Sequence, residues 1–96
     1  MVSAAAALKP RAQRFPLKLP LKYCKSGMEH WEDSRTVNIS RTGILFKADE
    51  ALQANSVLDI RISFPLKLTL QCQGSIVRAE EPNFALRIHR YHMLRK

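Results

Sequence analysis

The stretch Val57–Val77, "VLDIRISFPLKLTLQCQGSIV", decides the fold class. Leu58, Ile60, Ile62 and Phe64 alternate with Asp59, Arg61 and Ser63. After Pro65 the alternation resumes, with Leu66, Leu68, Leu70, Cys72, Gly74 and Ile76 in one phase. Successive side chains on a strand point to opposite faces, so period two over this length specifies strands with one buried face.

Working outward, the same period recurs. "FALRIH" sets Phe84, Leu86 and Ile88 against Arg87 and His89, after a turn at "EEPN". "GILFKA" is a short apolar strand, and "MEHWEDSRTVNIS" is polar at first and ends in the alternating pair Val37 and Ile39. "PLKLPLKYC" sets Leu17, Leu19, Leu21 and Tyr23 against Lys18, Pro20, Lys22 and Cys24, and "KSG" after it is a turn. Proline has no N–H to give a ladder, so this first strand is expected at an edge or with a bulge. "DEALQANS" is expected as a loop with room for one helical turn, and the tail "RYHMLRK" as the start of a short helix. Six strands separated by turns, with no long helical period, predict an all-β barrel or sandwich. A closed barrel would remove the exposed edges of six short strands. The chain divides into a flexible basic N-terminal arm, residues 1–10, and one domain, residues 11–96.

The 96 residues carry sixteen Lys and Arg against eight Asp and Glu, a net charge of +8. Lys9, Arg11, Arg14, Lys18, Lys22 and Lys25 precede the first acid, and Arg87–Lys96 contains no acid. Such asymmetry predicts an anionic partner. Cys24 and Cys72 lie 48 apart in strand-like runs and read as buried, reduced core thiols. No run approaches the ~20 apolar residues of a membrane span, and a cytoplasmic location is the expectation. His89 and His92 lack a third ligand nearby, so no metal is expected. No nucleophile elbow, P-loop or paired-carboxylate site stands out, which argues against an enzyme.

Between the second and third predicted strands lies Asn38-Ile39-Ser40-Arg41-Thr42-Gly43, which fits [D/N]-x-S-x-x-G. It follows the arginine cluster at the start of the first strand by about two dozen residues. With "QGSIVRAEEPNFALRIH" matching the last two strands, the chain from Arg11 to about Arg95 resembles the PilZ domain, a bacterial receptor domain for cyclic di-GMP. That resemblance implies a six-stranded antiparallel β-barrel followed by a helix. It also implies a ligand held on the barrel surface by an N-terminal R-x-x-x-R and by the [D/N]-x-S-x-x-G turn. The R-x-x-x-R is degenerate: with Arg14 as its second arginine, its first position is Pro10, leaving Lys9, Arg11 and Arg14.

These residue types suit that ligand. A guanidinium pairs bidentately with guanine O6 and N7, stacks on a purine or clamps a phosphate. Asn38 offers both a donor and an acceptor to a guanine edge. Ser40 has a hydroxyl for its own backbone or for the ligand, and Gly43 is expected to supply an unusual backbone angle and room for a base. The candidate ligand residues are therefore Arg11, Arg14, Asn38, Ser40 and Gly43. Arg78, near the end of the penultimate strand, joins them because the family often places a ligand-stacking side chain there.

Three functions follow. The first is cyclic di-GMP binding, signalled to a partner protein. The second is a PilZ-like adaptor for pilus or motility machinery that has lost the nucleotide, favoured by Pro10. The third is a small basic barrel binding RNA or DNA. Tyr23, Phe46, Phe64 and Phe84 all fall on inward phases, whereas a nucleic-acid barrel normally exposes aromatics for stacking, so the third is disfavoured.

Overall fold

The computed structural model of the protein describes residues 16–95. Six strands form: β1 (Pro20–Lys25), β2 (Glu32–Ile39), β3 (Gly43–Lys47), β4 (Val57–Phe64), β5 (Leu68–Glu80) and β6 (Asn83–Arg95). They close a barrel in the order β1-β2-β3-β6-β5-β4, with every neighbouring pair antiparallel.

The alternating phases become the core. Ile39, Ile44, Leu86 and Ile76 stand in one register row across β2, β3, β6 and β5, and all four point inward. Phe46 and Phe84, paired across β3 and β6, are fully buried, and Tyr23 meets Phe46 with ring centroids 5.6 Å apart. Phe64 packs partly buried against this cluster. Cys24 and Cys72 are free, buried thiols.

Four details depart from the sequence-based expectation. The tail "RYHMLRK" does not form a helix, because β6 continues through it to Arg95. Leu68–Gln73 of β5 offers a ready ladder there, pairing with Arg90–Arg95 and opposing Cys72 to Tyr91 and Leu70 to Met93. A strand template of that length outweighs a short helix, which is marginal on its own. Pro20 is not on a sheet edge; it is the first residue of β1, paired with Arg35 but not with β4, where its missing N–H is harmless. Leu66 is not in the core phase but in the Pro65–Lys67 turn, 88% exposed, and both Leu66 and Lys67 have positive φ. The segment at Asp49–Ser56 contains no helical turn, although Leu52 within it is buried.

The expected arm, residues 1–10, lies outside the described residues. Among those residues no helix is long and apolar enough to cross a membrane.

Candidate functional site

The β2–β3 corner is built around one hydroxyl. Ser40 Oγ accepts the amides of Gly43 at 3.1 Å and Thr42 at 3.3 Å, and donates to the Gly43 carbonyl at 3.3 Å. The Ser40 amide donates to the same carbonyl at 2.9 Å. Ser40 is 6% exposed, so its side chain is spent on the turn itself. Serine suits the position because its short hydroxyl reaches amides two and three residues ahead.

Gly43 is required for a different reason from the expected backbone angle. Its φ is not positive; instead, a Cβ placed on it would lie 2.9 Å from the Leu86 carbonyl oxygen. The corner is thus pressed onto β6, and the Ile88 amide donates to the Thr42 carbonyl at 2.9 Å to close the seam.

This packing fixes where Asn38 stands. A bulge at Val37, between the pairs Thr36–Phe46 and Asn38–Leu45, resets the phase of β2. Asn38, Leu45, Ala85 and Arg78 then form a single register row over β2, β3, β6 and β5. It is the row next to the buried Ile39–Ile44–Leu86–Ile76 row, so its side chains face outward. Strands are ~4.8 Å apart, so Asn38 and Arg78 stand roughly 14 Å apart along the curved wall with small or apolar side chains between them. Arg78 is exposed, with Nε 3.7 Å from Glu80 Oε1, a contact between solvated groups that leaves the guanidinium available. The structure therefore brings Asn38, Gly43 and Arg78 to one outer surface, and puts Ser40 beneath it as a buried scaffold.

Arg11 and Arg14 lie outside the described residues, but the chain leading from them is anchored. Thr36, fully buried, accepts the Leu19 amide at 2.9 Å and donates to the Leu17 carbonyl at 2.5 Å through the same Oγ1. The Thr36 amide donates in turn to the Leu19 carbonyl at 3.0 Å. β1 is antiparallel to β2, so traced backwards from Pro20 the chain runs towards the Asn38 end of β2. Sequence reasoning missed Thr36, because it took Val37 as the inward partner of Ile39. The only available signal was a lone threonine in a polar run.

Beside this wall lies a hollow of about 510 Å³ whose charged lining is Lys18, Arg35 and Lys47 with Asp33 and Asp49. On the other side of the corner a smaller groove, about 230 Å³ and mostly apolar, runs between Ile39–Arg41 and the Ile88 and Tyr91 side chains of β6. His89 and His92 lie on β6, His89 Nε2 2.5 Å from Ser75 Oγ, and among the described residues no three potential metal ligands cluster.

The chain is thus a closed antiparallel barrel with a polar corner and an exposed guanidinium on its outer wall. The PilZ domain family model matches residues 9–93, and the chain belongs to that family. PilZ domains are ligand-binding and adaptor domains rather than enzymes, and are generally receptors for cyclic di-GMP. Among solved structures, the crystal structure of the PilZ domain of CeSA from a cellulose-synthesizing bacterium superposes with a TM-score of 0.69. It is 17% identical, and the match covers 82% of each chain. No curated protein sequence is significantly similar.

Proposed function

We propose that this domain binds cyclic di-GMP on the outer wall of the barrel and signals the bound state to a partner protein. The observation that carries the reading is the shared outer row of Asn38 and Arg78, with Gly43 at its corner. Asn38 addresses a guanine edge, Arg78 stacks on a base or pairs with a phosphate, and Gly43 leaves the wall low enough for a purine to approach.

The basic segment Lys9–Arg14 supplies the other half of the clamp. The family match begins at residue 9 and takes in Arg11 and Arg14. The anchoring of Leu17–Leu19 by Thr36 supports the same reading, because it starts the preceding chain on the Asn38 side of the barrel. Arg11-x-x-Arg14 replaces R-x-x-x-R across the proline at position 10. Ligand neutralises these cations, and charge-assisted hydrogen bonds offset the entropy of fixing the segment.

Calorimetry with cyclic di-GMP at two salt concentrations tests the proposal. Micromolar binding that survives added salt is expected. Absence of binding would leave an adaptor that has lost the nucleotide, and binding to any polyanion that collapses with salt would point to nucleic acid.

A further inference from the structure

The seam between β3 and β6 is short. β3 covers only Asn83–Arg87, and the bond from the Ile88 amide to Thr42 is the last one on that side. From His89 to Arg95, β6 is paired with β5 on one edge, while among the described residues nothing pairs with its other edge. That edge is half of a ladder, and its free N–H and C=O groups are a template for another strand. It also borders the apolar groove lined by Ile39, Leu70, Ile88 and Tyr91. Tyr91 and Met93, opposite the buried Cys72 and Leu70, share the groove's face and are 58% and 47% exposed, with no cover among the described residues.

Charge decides what fits. Arg87, Arg90 and Arg95 lie on β6 with no acid after Glu81, and none of the three is ion-paired to a described residue. A second copy of this strand would bring two arginine-bearing stretches without an acid together, and their like charges disfavour the pairing. An acidic strand meets the opposite situation, gaining main-chain hydrogen bonds from the edge and charge attraction from the guanidiniums.

The geometry points to the free edge of β6, His89–Arg95, as a docking site for an acidic, extended segment of a partner protein. The segment adds as a strand, with alternate apolar side chains entering the groove beside Ile39 and Tyr91. The inference deepens the partner signalling proposed above by giving the partner a surface, and it is tested without nucleotide, so the two fail separately.

The test uses the full chain labelled with nitrogen-15 and two peptides, each of five repeats, one Glu-Val and one Lys-Val. In the free protein, the β6 amides that face away from β5 between residues 89 and 95 exchange with solvent quickly. The Glu-Val peptide slows their exchange about tenfold and shifts the resonances of residues 88–95, and the Lys-Val peptide does neither. Arg90→Glu with Arg95→Glu, both at exposed sites, weakens the Glu-Val effect about tenfold while the remaining resonances stay in place. Shifts spread over the basic surface around Lys18, Lys22 and Arg35 would overturn the inference in favour of plain charge attraction. Protection of residues 89–95 in the free chain would overturn it too. If that protection vanished on dilution the occupant would be a second copy, and if it vanished on deleting residues 1–15 it would be the chain's own N-terminal segment.

Discussion

A Cβ on Gly43 would stand 2.9 Å from the carbonyl oxygen of Leu86, closer than a side chain and a backbone oxygen approach. The candidate binding corner is therefore welded to β6 by the absence of an atom, and its position depends on that contact.

Gly43→Ala forces β3 and β6 apart at the corner. The obstacle is backbone, so the cost is of the overpacking kind, about 1–3 kcal/mol. Urea denaturation measures it. Gly74→Ala is expected to cost more, since its Cβ would meet the Arg87 carbonyl oxygen at 2.2 Å and a Leu86 methyl at 2.5 Å. Equal stability of wild type and Gly43→Ala would show that the seam is loose.

Ser40 and Arg78 separate scaffold from contact. Ser40→Ala removes the acceptor of the Thr42 and Gly43 amides and lowers stability by about 1–2 kcal/mol without any ligand present. Arg78→Ala leaves stability within ~0.5 kcal/mol of wild type and weakens cyclic di-GMP binding by about 0.5–2 kcal/mol. Calorimetry beside denaturation distinguishes them. An affinity unchanged in Arg78→Ala would remove that residue from the site.

Thr36→Val keeps the shape of the side chain and deletes its hydroxyl. The Leu19 amide and the Leu17 carbonyl then lose their partner, at about 1–3 kcal/mol. Hydrogen exchange at Leu19 is expected to accelerate more than at Ile60 in the barrel wall. Uniform acceleration would mean a global loss of stability instead of a released entry segment.

Alkaline pH destabilises the fold through two buried acids. Burial, followed by the nearby Asp59 charge, pushes the Cys72 thiol up from 9.0 to about 12. Burial, followed by its hydrogen bond to Glu50 (Oη to Oε2, 2.7 Å), holds the Tyr23 phenol well above its usual 10.0. Unfolded chains release these protons first, so they bind fewer protons than the folded state once pH exceeds about 9. Stability is full below pH 9 and falls progressively above it, first through Cys72 and then through Tyr23. Denaturation midpoints between pH 8 and 11 show the slope, and Cys72→Ala and Tyr23→Phe each flatten it. A slope untouched by both would assign the alkaline loss to other groups.

Lys67→Gly is expected to stabilise the barrel by about 0.5–1 kcal/mol. Lys67 (φ 60) and Leu66 (φ 65) occupy the left-handed region that glycine enters freely. Thermal melting checks it. Loss of stability would mean that the lysine side chain holds the turn more than its backbone strains it.

Sequence alone determined that there are six strands, the buried phase of most of them and the position of the N-x-S-x-x-G corner. Period two fixes which side of a strand is buried wherever apolar and polar residues alternate without interruption, as in Val57–Phe64 and Leu68–Ile76. It failed where geometry resets the phase or a neighbour decides the conformation. The bulge at Val37 turned Thr36 inward, and the ladder offered by Leu68–Gln73 drew the tail into β6 instead of a helix. The outer row that joins Asn38 to Arg78, the collision that makes Gly43 obligatory and the unpaired stretch of β6 were decided by tertiary structure. Each depends on which residues the closed barrel sets side by side, and that register is a property of pairings between distant segments, which local alternation does not encode.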